Sequence, residues 1–127
     1  MQVKWTQRAL NRLNIAVNYG LREFGEKTAF QFYQKVLSYE TLLATNPYMG
    51  KVEKVLETRQ MVYRSFVVHP HFKLIYYVNE KKQCVVIIYF FDTRQDPDKL
   101  PYKISQIQHP HKSTKYVNYE RNKLYRK

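Results

Sequence analysis

The sequence predicts an α+β domain in which an N-terminal helical hairpin packs on a small antiparallel β-sheet. Apolar residues recur every three to four positions as far as residue 45, the spacing of amphipathic helices. Beyond residue 60 the pattern changes to alternation and to runs of Val, Ile, Tyr and Phe, the signature of strands. A chain of 127 residues suits one such domain and leaves little room for a second.

Each element has its own signal. Residues 2–5 ("QVKW") alternate polar and apolar, a short strand. Thr6 is placed to cap a helix. Ala9, Leu10, Leu13, Ala16, Val17, Leu21 and Phe24 then form one buried stripe over residues 7–24, and Gly25 suits the helix end. A second helix fits residues 26–45, with Ala29, Phe30, Phe32, Tyr33, Val36, Leu37, Leu43 and Ala44 on a wide apolar face. Asn46-Pro47 stops it, because proline disfavours helix in the residue before it. So short a connection between two helices predicts an antiparallel hairpin. The segment "YMGKVEKVLETRQ" (48–60) reads as loop with one strand-like piece.

The strands follow as "MVYRSFVV" (61–68), "FKLIYYVN" (72–79) and "CVVIIYFF" (84–91), broken by "HPH" and "EKKQ". Consecutive strands with short connections predict an antiparallel meander, with 2–5 added to the sheet. Alternation puts Val62, Arg64, Phe66 and Val68 on one face of the first strand, and Met61, Tyr63, Ser65 and Val67 on the other. The last strand is apolar throughout, which suits a central position covered on both sides. It ends in "DTRQDP", where Pro97 stops further pairing. Residues 102–127 form a basic, tyrosine-rich extension. From 103 onward it carries seven Lys/Arg and one Glu, a net +6. Such a tail is expected to be a mobile arm or a short helix formed on binding.

Charge narrows the partners. With 22 Lys+Arg against 10 Asp+Glu, the formal net charge is +12. That surface attracts phosphate backbones, anionic membranes or an acidic protein. The longest apolar run is far short of the ~18–20 residues that span a bilayer, so no membrane segment is expected. The N-terminus shows no apolar signal region. The single cysteine, Cys84, lies in an apolar strand and reads as a small core residue. Together these predict a cytoplasmic location.

The order strand, two helices and meander, with "VKWTQRALNRL", the "NP" and "MG" after helix two, "VYRSFVVHPHFKLIYYV" and "IIYFFDTRQDP", resembles the RelE/ParE superfamily of toxins from type II toxin–antitoxin systems. The resemblance covers residues 1–101 and does not extend into the tail. It implies an acidic antitoxin partner and one of two activities. RelE-like members cleave mRNA on the ribosome without a metal or other cofactor, and ParE-like members poison DNA gyrase. Ribosome-dependent mRNA cleavage is the expected function, with non-catalytic gyrase inhibition as the alternative. A third reading is a non-catalytic nucleic-acid-binding module whose tail stacks on single strands.

Metal-free RNA cleavage needs cations to hold negative charge on phosphate and a group to move protons. Aligned with RelE-like toxins, the basic positions fall on Arg64, Lys73 and Arg94. A second basic residue expected on the strand of Arg64 is Phe66 here, and the expected late tyrosine falls near Leu100, with Tyr102 only loosely in register. His69 and His71 have two readings: exposed rings of a tight turn, or proton-transfer groups, since an unperturbed imidazole titrates near ~6.5. Arg94 lies between Asp92 and Asp96, so it is either aimed at an anion or locked to a carboxylate. No zinc site is expected, since neither thiolates nor four well-spaced ligands are present.

Overall fold

A computed structural model describes residues 1–56, 61–68, 71–94 and the strand 116–117. Its elements run in the expected order. β1 (Gln2–Thr6) leads into α1 (Gln7–Phe24) and α2 (Glu26–Thr45). β2 (Lys51–Val52) and a 3-10 turn (Lys54–Leu56) follow, then β3 (Arg64–Val68), β4 (Phe72–Asn79) and β5 (Cys84–Asp92), with β6 (Tyr116–Val117) last.

Local chemistry sets the boundaries. The Thr6 hydroxyl accepts from the Ala9 amide at 3.2 Å and donates to the Ile88 carbonyl at 3.4 Å, so one side chain caps α1 and ties it to β5. Gly25 separates the helices at φ 91°, a left-handed conformation that favours glycine. Asn46 ends α2 with its amide on the Leu42 carbonyl at 2.8 Å. The β4–β5 turn closes with Gln83 at φ 52° and with the Lys82 amide on Asn79 Oδ1 at 3.1 Å.

The strand order is β2-β3-β4-β5-β1-β6. β3, β4 and β5 form the expected antiparallel meander, and β2, from the segment read as loop with one strand-like piece, pairs antiparallel with β3. β1 differs: it lies parallel to β5, with Gln2 opposite Cys84 and Trp5 opposite Ile87, so the sheet is mixed. The helical hairpin intervenes between β1 and the meander, so no tight turn forces β1 to run antiparallel. β6 pairs antiparallel with β1 at the sheet edge. The rest of the extension, where an arm or binding helix is expected, lies outside the described residues, as do His69 and Asp96.

Two buried layers flank the sheet. On the helix side, Leu10, Leu13, Val17, Ala29, Val36 and Leu43 pack on Trp5, Leu74, Tyr76, Val85, Ile87 and Phe90. On the other side, Leu56 and Tyr63 join Ile75, Tyr77, Cys84, Val86, Ile88 and Phe91. β5 is therefore covered on both faces, as its apolar run predicts. A register shift between Ile75 and Tyr76, which pair with Tyr89 and Ile87, leaves Ile88 as the extra residue of a bulge in β5. Two residues of the expected stripes are exposed instead: Phe24 at 64% and Phe30 at 45%. Phe24 ends α1, where its ring meets Tyr19 edge-on at 6.2 Å.

Candidate functional site

The segment 48–53 organises one end of the sheet. Gly50 donates its amide to the hydroxyl of Tyr76, a ring with no exposed surface, at 2.8 Å. A Cβ at Gly50 would lie 2.7 Å from that oxygen and 2.9 Å from the Ser65 carbonyl, so only glycine fits this approach. The Gly50 carbonyl accepts from Arg64 at 2.9 Å, and the Arg64 guanidinium lies over the Tyr48 ring at 5.2 Å. Burial raises the Tyr76 hydroxyl above its ordinary pKa, against the pull of the Gly50 hydrogen bond and of Arg64.

Three residues downstream, Glu53 collects a second set of bonds. Its carboxylate takes a 2.7 Å ion pair from Lys73 and a short hydrogen bond from the Ser65 hydroxyl. Its amide donates to the Tyr63 carbonyl at 2.9 Å. Burial works against the charge on Glu53. The bonds from Lys73 and Ser65, with the fields of Lys73 and Lys51, outweigh it and hold the carboxyl below its ordinary value.

Strand register separates these two cations. Arg64 pairs with Tyr76 on the helix side, and Phe66 follows it there, its ring 4.9 Å from Tyr39. Lys73 pairs with Val67 and Phe91, so it projects on the opposite face. Arg64 and Lys73 therefore lie on different sides of the sheet.

Arg94 lies at the far end of β5. Asp92 grips it three times: backbone amide to Oδ1 at 2.9 Å, Nε to Oδ1 at 3.1 Å, and NH2 to Oδ2 at 2.8 Å. Those bonds from Arg94 hold Asp92 below its ordinary pKa despite partial burial, and the same pairing raises Arg94 above its own. The lock to a carboxylate is thus formed with Asp92. More than half of the Arg94 side chain, 55%, remains exposed. The neighbouring turn is fixed by His71, whose carbonyl accepts from the Thr93 amide and hydroxyl, each at 2.7 Å. The His71 ring lies 4.8 Å from Phe72.

Arg94 and His71 share the rim of a cleft of about 450 Å³ between the helical hairpin and this end of the sheet. Its walls are Tyr19, Phe24, Phe32 and Phe72, with Lys35 on the rim. Sequence reasoning found Arg94 and His71, which are close in the fold, but not the cleft. Its apolar wall joins the last turn of α1 to the middle of α2, a contact that periodicity alone does not place. Among the described residues no group of three or more His, Cys, Asp or Glu is placed to hold a metal ion, and no helix is long and apolar enough to cross a membrane.

A helical hairpin on a meander, with β1 inserted beside β5, is the small α+β architecture expected from the sequence. A family model described as the ParE toxin of the type II toxin-antitoxin system parDE matches residues 3–97. The chain belongs to this family. A solved structure described as the chromosomal ParDE TA system from P. aeruginosa shares the fold, with a TM-score of 0.57 and 18% identity. The match covers 72% of this chain and 95% of that one. No curated protein matches. A type II toxin implies an antitoxin partner.

Proposed function

We propose that this toxin acts by inhibiting DNA gyrase, without catalysis of its own. The family match supports this reading, because ParE-like members of the superfamily are gyrase poisons. The observation that carries it is the placement of the cations. Metal-free phosphoryl transfer needs preorganised positive groups converging on one phosphate. Here Arg64 lies on the helix side, bonded to the Gly50 carbonyl, and Lys73 lies on the other side, paired with Glu53. Phe66 takes the place of a further cation and packs on Tyr39. Ribosome-dependent mRNA cleavage draws no support from such an arrangement.

An inhibitor needs a binding surface and no proton-transfer group, so neither His71 nor the exposed Arg94 is assigned a chemical step. The test places purified toxin in two assays side by side: supercoiling of relaxed plasmid by gyrase, and primer extension on an mRNA under translation. Blocked supercoiling with intact mRNA is the expected result. Cut mRNA with unimpaired supercoiling would refute the proposal.

A further inference from the structure

The core uses one side of α1 and leaves the other without an assigned task. Ala9, Leu10, Leu13 and Val17 are buried. On the opposite side Arg8, Asn11, Ile15, Asn18 and Arg22 follow one another at spacings of three and four residues, so they form one stripe along the outside of the helix. All five are exposed, and Ile15, at the centre, is 57% exposed. A helical face turned to water is stabilised by mixing charges, with carboxylates three or four residues from lysines and arginines. This stripe has no carboxylate. α1 has no acid in its first turn, and its first is Glu23, one residue from its end. No ion pair reaches Arg8 or Arg22 from a described residue. Arg12, beside the stripe, differs: its guanidinium lies over the Tyr89 ring at 5.5 Å and belongs to the fold.

We propose that the outer face of α1 binds duplex DNA, with the helix laid along the major groove. Fourteen residues separate Arg8 from Arg22, roughly 21 Å at ~1.5 Å per residue. Long guanidinium arms at the two ends can reach phosphates on either side of a groove about 12 Å wide. Between them Asn18 offers a donor and an acceptor, the two functions that adenine presents in that groove. Asn11, whose Oδ1 accepts from Gln7 at 2.9 Å, keeps its amide N–H groups as donors. Ile15 supplies an apolar surface for a thymine methyl. The free amides at the start of α1, with no acid in the first turn, add to the positive potential. Other partners fit less well. An acidic protein would satisfy the arginines but makes no special use of two neutral amides. An anionic membrane calls for a broad apolar face, and the stripe has one apolar residue. The major groove of duplex RNA is too deep and narrow to admit a helix. Such binding is independent of which enzyme the toxin inhibits.

The experiment follows the fluorescence anisotropy of a labelled DNA duplex of about 20 base pairs, titrated with the full-length chain between about 50 and 200 mM salt. Arg8→Gln with Arg22→Gln removes the two end charges. Lys81→Gln with Lys82→Gln makes the same change of net charge in the β4–β5 turn, at the other end of the strand whose Tyr89 meets α1. Each phosphate contact contributes about 0.9 to the slope of log affinity against log salt, so the arginine pair should lower that slope by about 1.8 and weaken binding about tenfold or more at the lower salt. The lysine pair should stay within about threefold of the parent, with its slope nearly unchanged. Ile15→Asp places a carboxylate at the centre of the stripe and should also weaken binding about tenfold or more. All these positions are exposed, and circular dichroism melts check that each variant is folded. Parental affinity in the arginine pair or in Ile15→Asp overturns the proposal. So does an equal loss in the lysine pair, which would mean diffuse attraction to a +12 chain, or no binding of the duplex at micromolar protein. Duplex RNA or single-stranded DNA bound as tightly, with the same dependence on Arg8 and Arg22, would also overturn it.

Discussion

Replacing Gly50 by alanine adds a single methyl group, and the structure gives its cost. The new carbon would stand 2.7 Å from the Tyr76 hydroxyl oxygen and 2.9 Å from the Ser65 carbonyl. One contact is with backbone of β3 and the other with a fully buried ring, so neither can swing aside into solvent. Overpacking of this kind costs about 1–3 kcal/mol. If the strand moves away instead, the Gly50 amide and the Tyr76 hydroxyl lose their 2.8 Å bond, and a buried polar group left unpaired costs ~1–3 kcal/mol. Either route gives a loss of about 1–3 kcal/mol, or roughly 4–12 °C in Tm for a domain of this size. Gly20→Ala is the matched control. Its Cβ would meet Ala29 Cβ at 3.7 Å, ordinary contact, and inside a helix alanine gains about 0.5–1 kcal/mol over glycine. Thermal melts by circular dichroism should therefore move in opposite directions for the two variants. A Gly50→Ala melt within ~2 °C of the parent would refute the close approach on which the 48–53 segment is built.

Further outcomes follow from the same contacts. Glu53 is held below its ordinary carboxylate pKa, so its contribution to stability is fully present above that value and is lost as pH falls through the lower, folded one. Denaturant melts between pH 6 and the acid limit should show this loss (about pH 4 and below), and Glu53→Gln should flatten it. Lys73→Met, which leaves that partly buried carboxylate without its ion pair, should destabilise by ~1–3 kcal/mol at neutral pH and by less in acid, measured by urea unfolding. Thr6→Ala removes both the cap of α1 and the bond to Ile88, for a loss of about 1–2 kcal/mol, whereas Thr6→Ser should retain most of it.

The parts of the fold that were legible in the sequence are those set by local pattern. The stripe Leu10, Leu13, Val17 and the runs 72–79 and 84–91 carry their own period, and Thr6, Gly25 and Asn46 punctuate it. The parallel insertion of β1 beside β5 was not legible, since alternation in "QVKW" fixes a strand but not its neighbour. Phe24 and Phe30 count as apolar in any stripe, yet burial depends on where the sheet stops. The site divides the same way. Asp92 and Arg94 are two residues apart, so their pairing could be foreseen. Arg64 and Lys73 looked like catalytic cations because their partners, Gly50 and Glu53, come from residues 48–60, where no periodicity announces structure. The two faces of a strand were written in the alternation all along. Arg64 and Lys73 diverge because hairpin register puts Tyr76, not Lys73, opposite Arg64.

The account rests on Lys73 being a structural cation bound to Glu53 rather than a group that acts on phosphate. Replacing the pair together, Glu53→Gln with Lys73→Met, removes both charges without leaving either one buried alone. Inhibition of gyrase supercoiling by this double variant, at a temperature where it remains folded, measures the claim directly. The account predicts an inhibitory concentration within about threefold of the parent, since truncations away from a binding surface change little. A loss of about thirtyfold or more, the cost of truncating a binding hot spot, would contradict it.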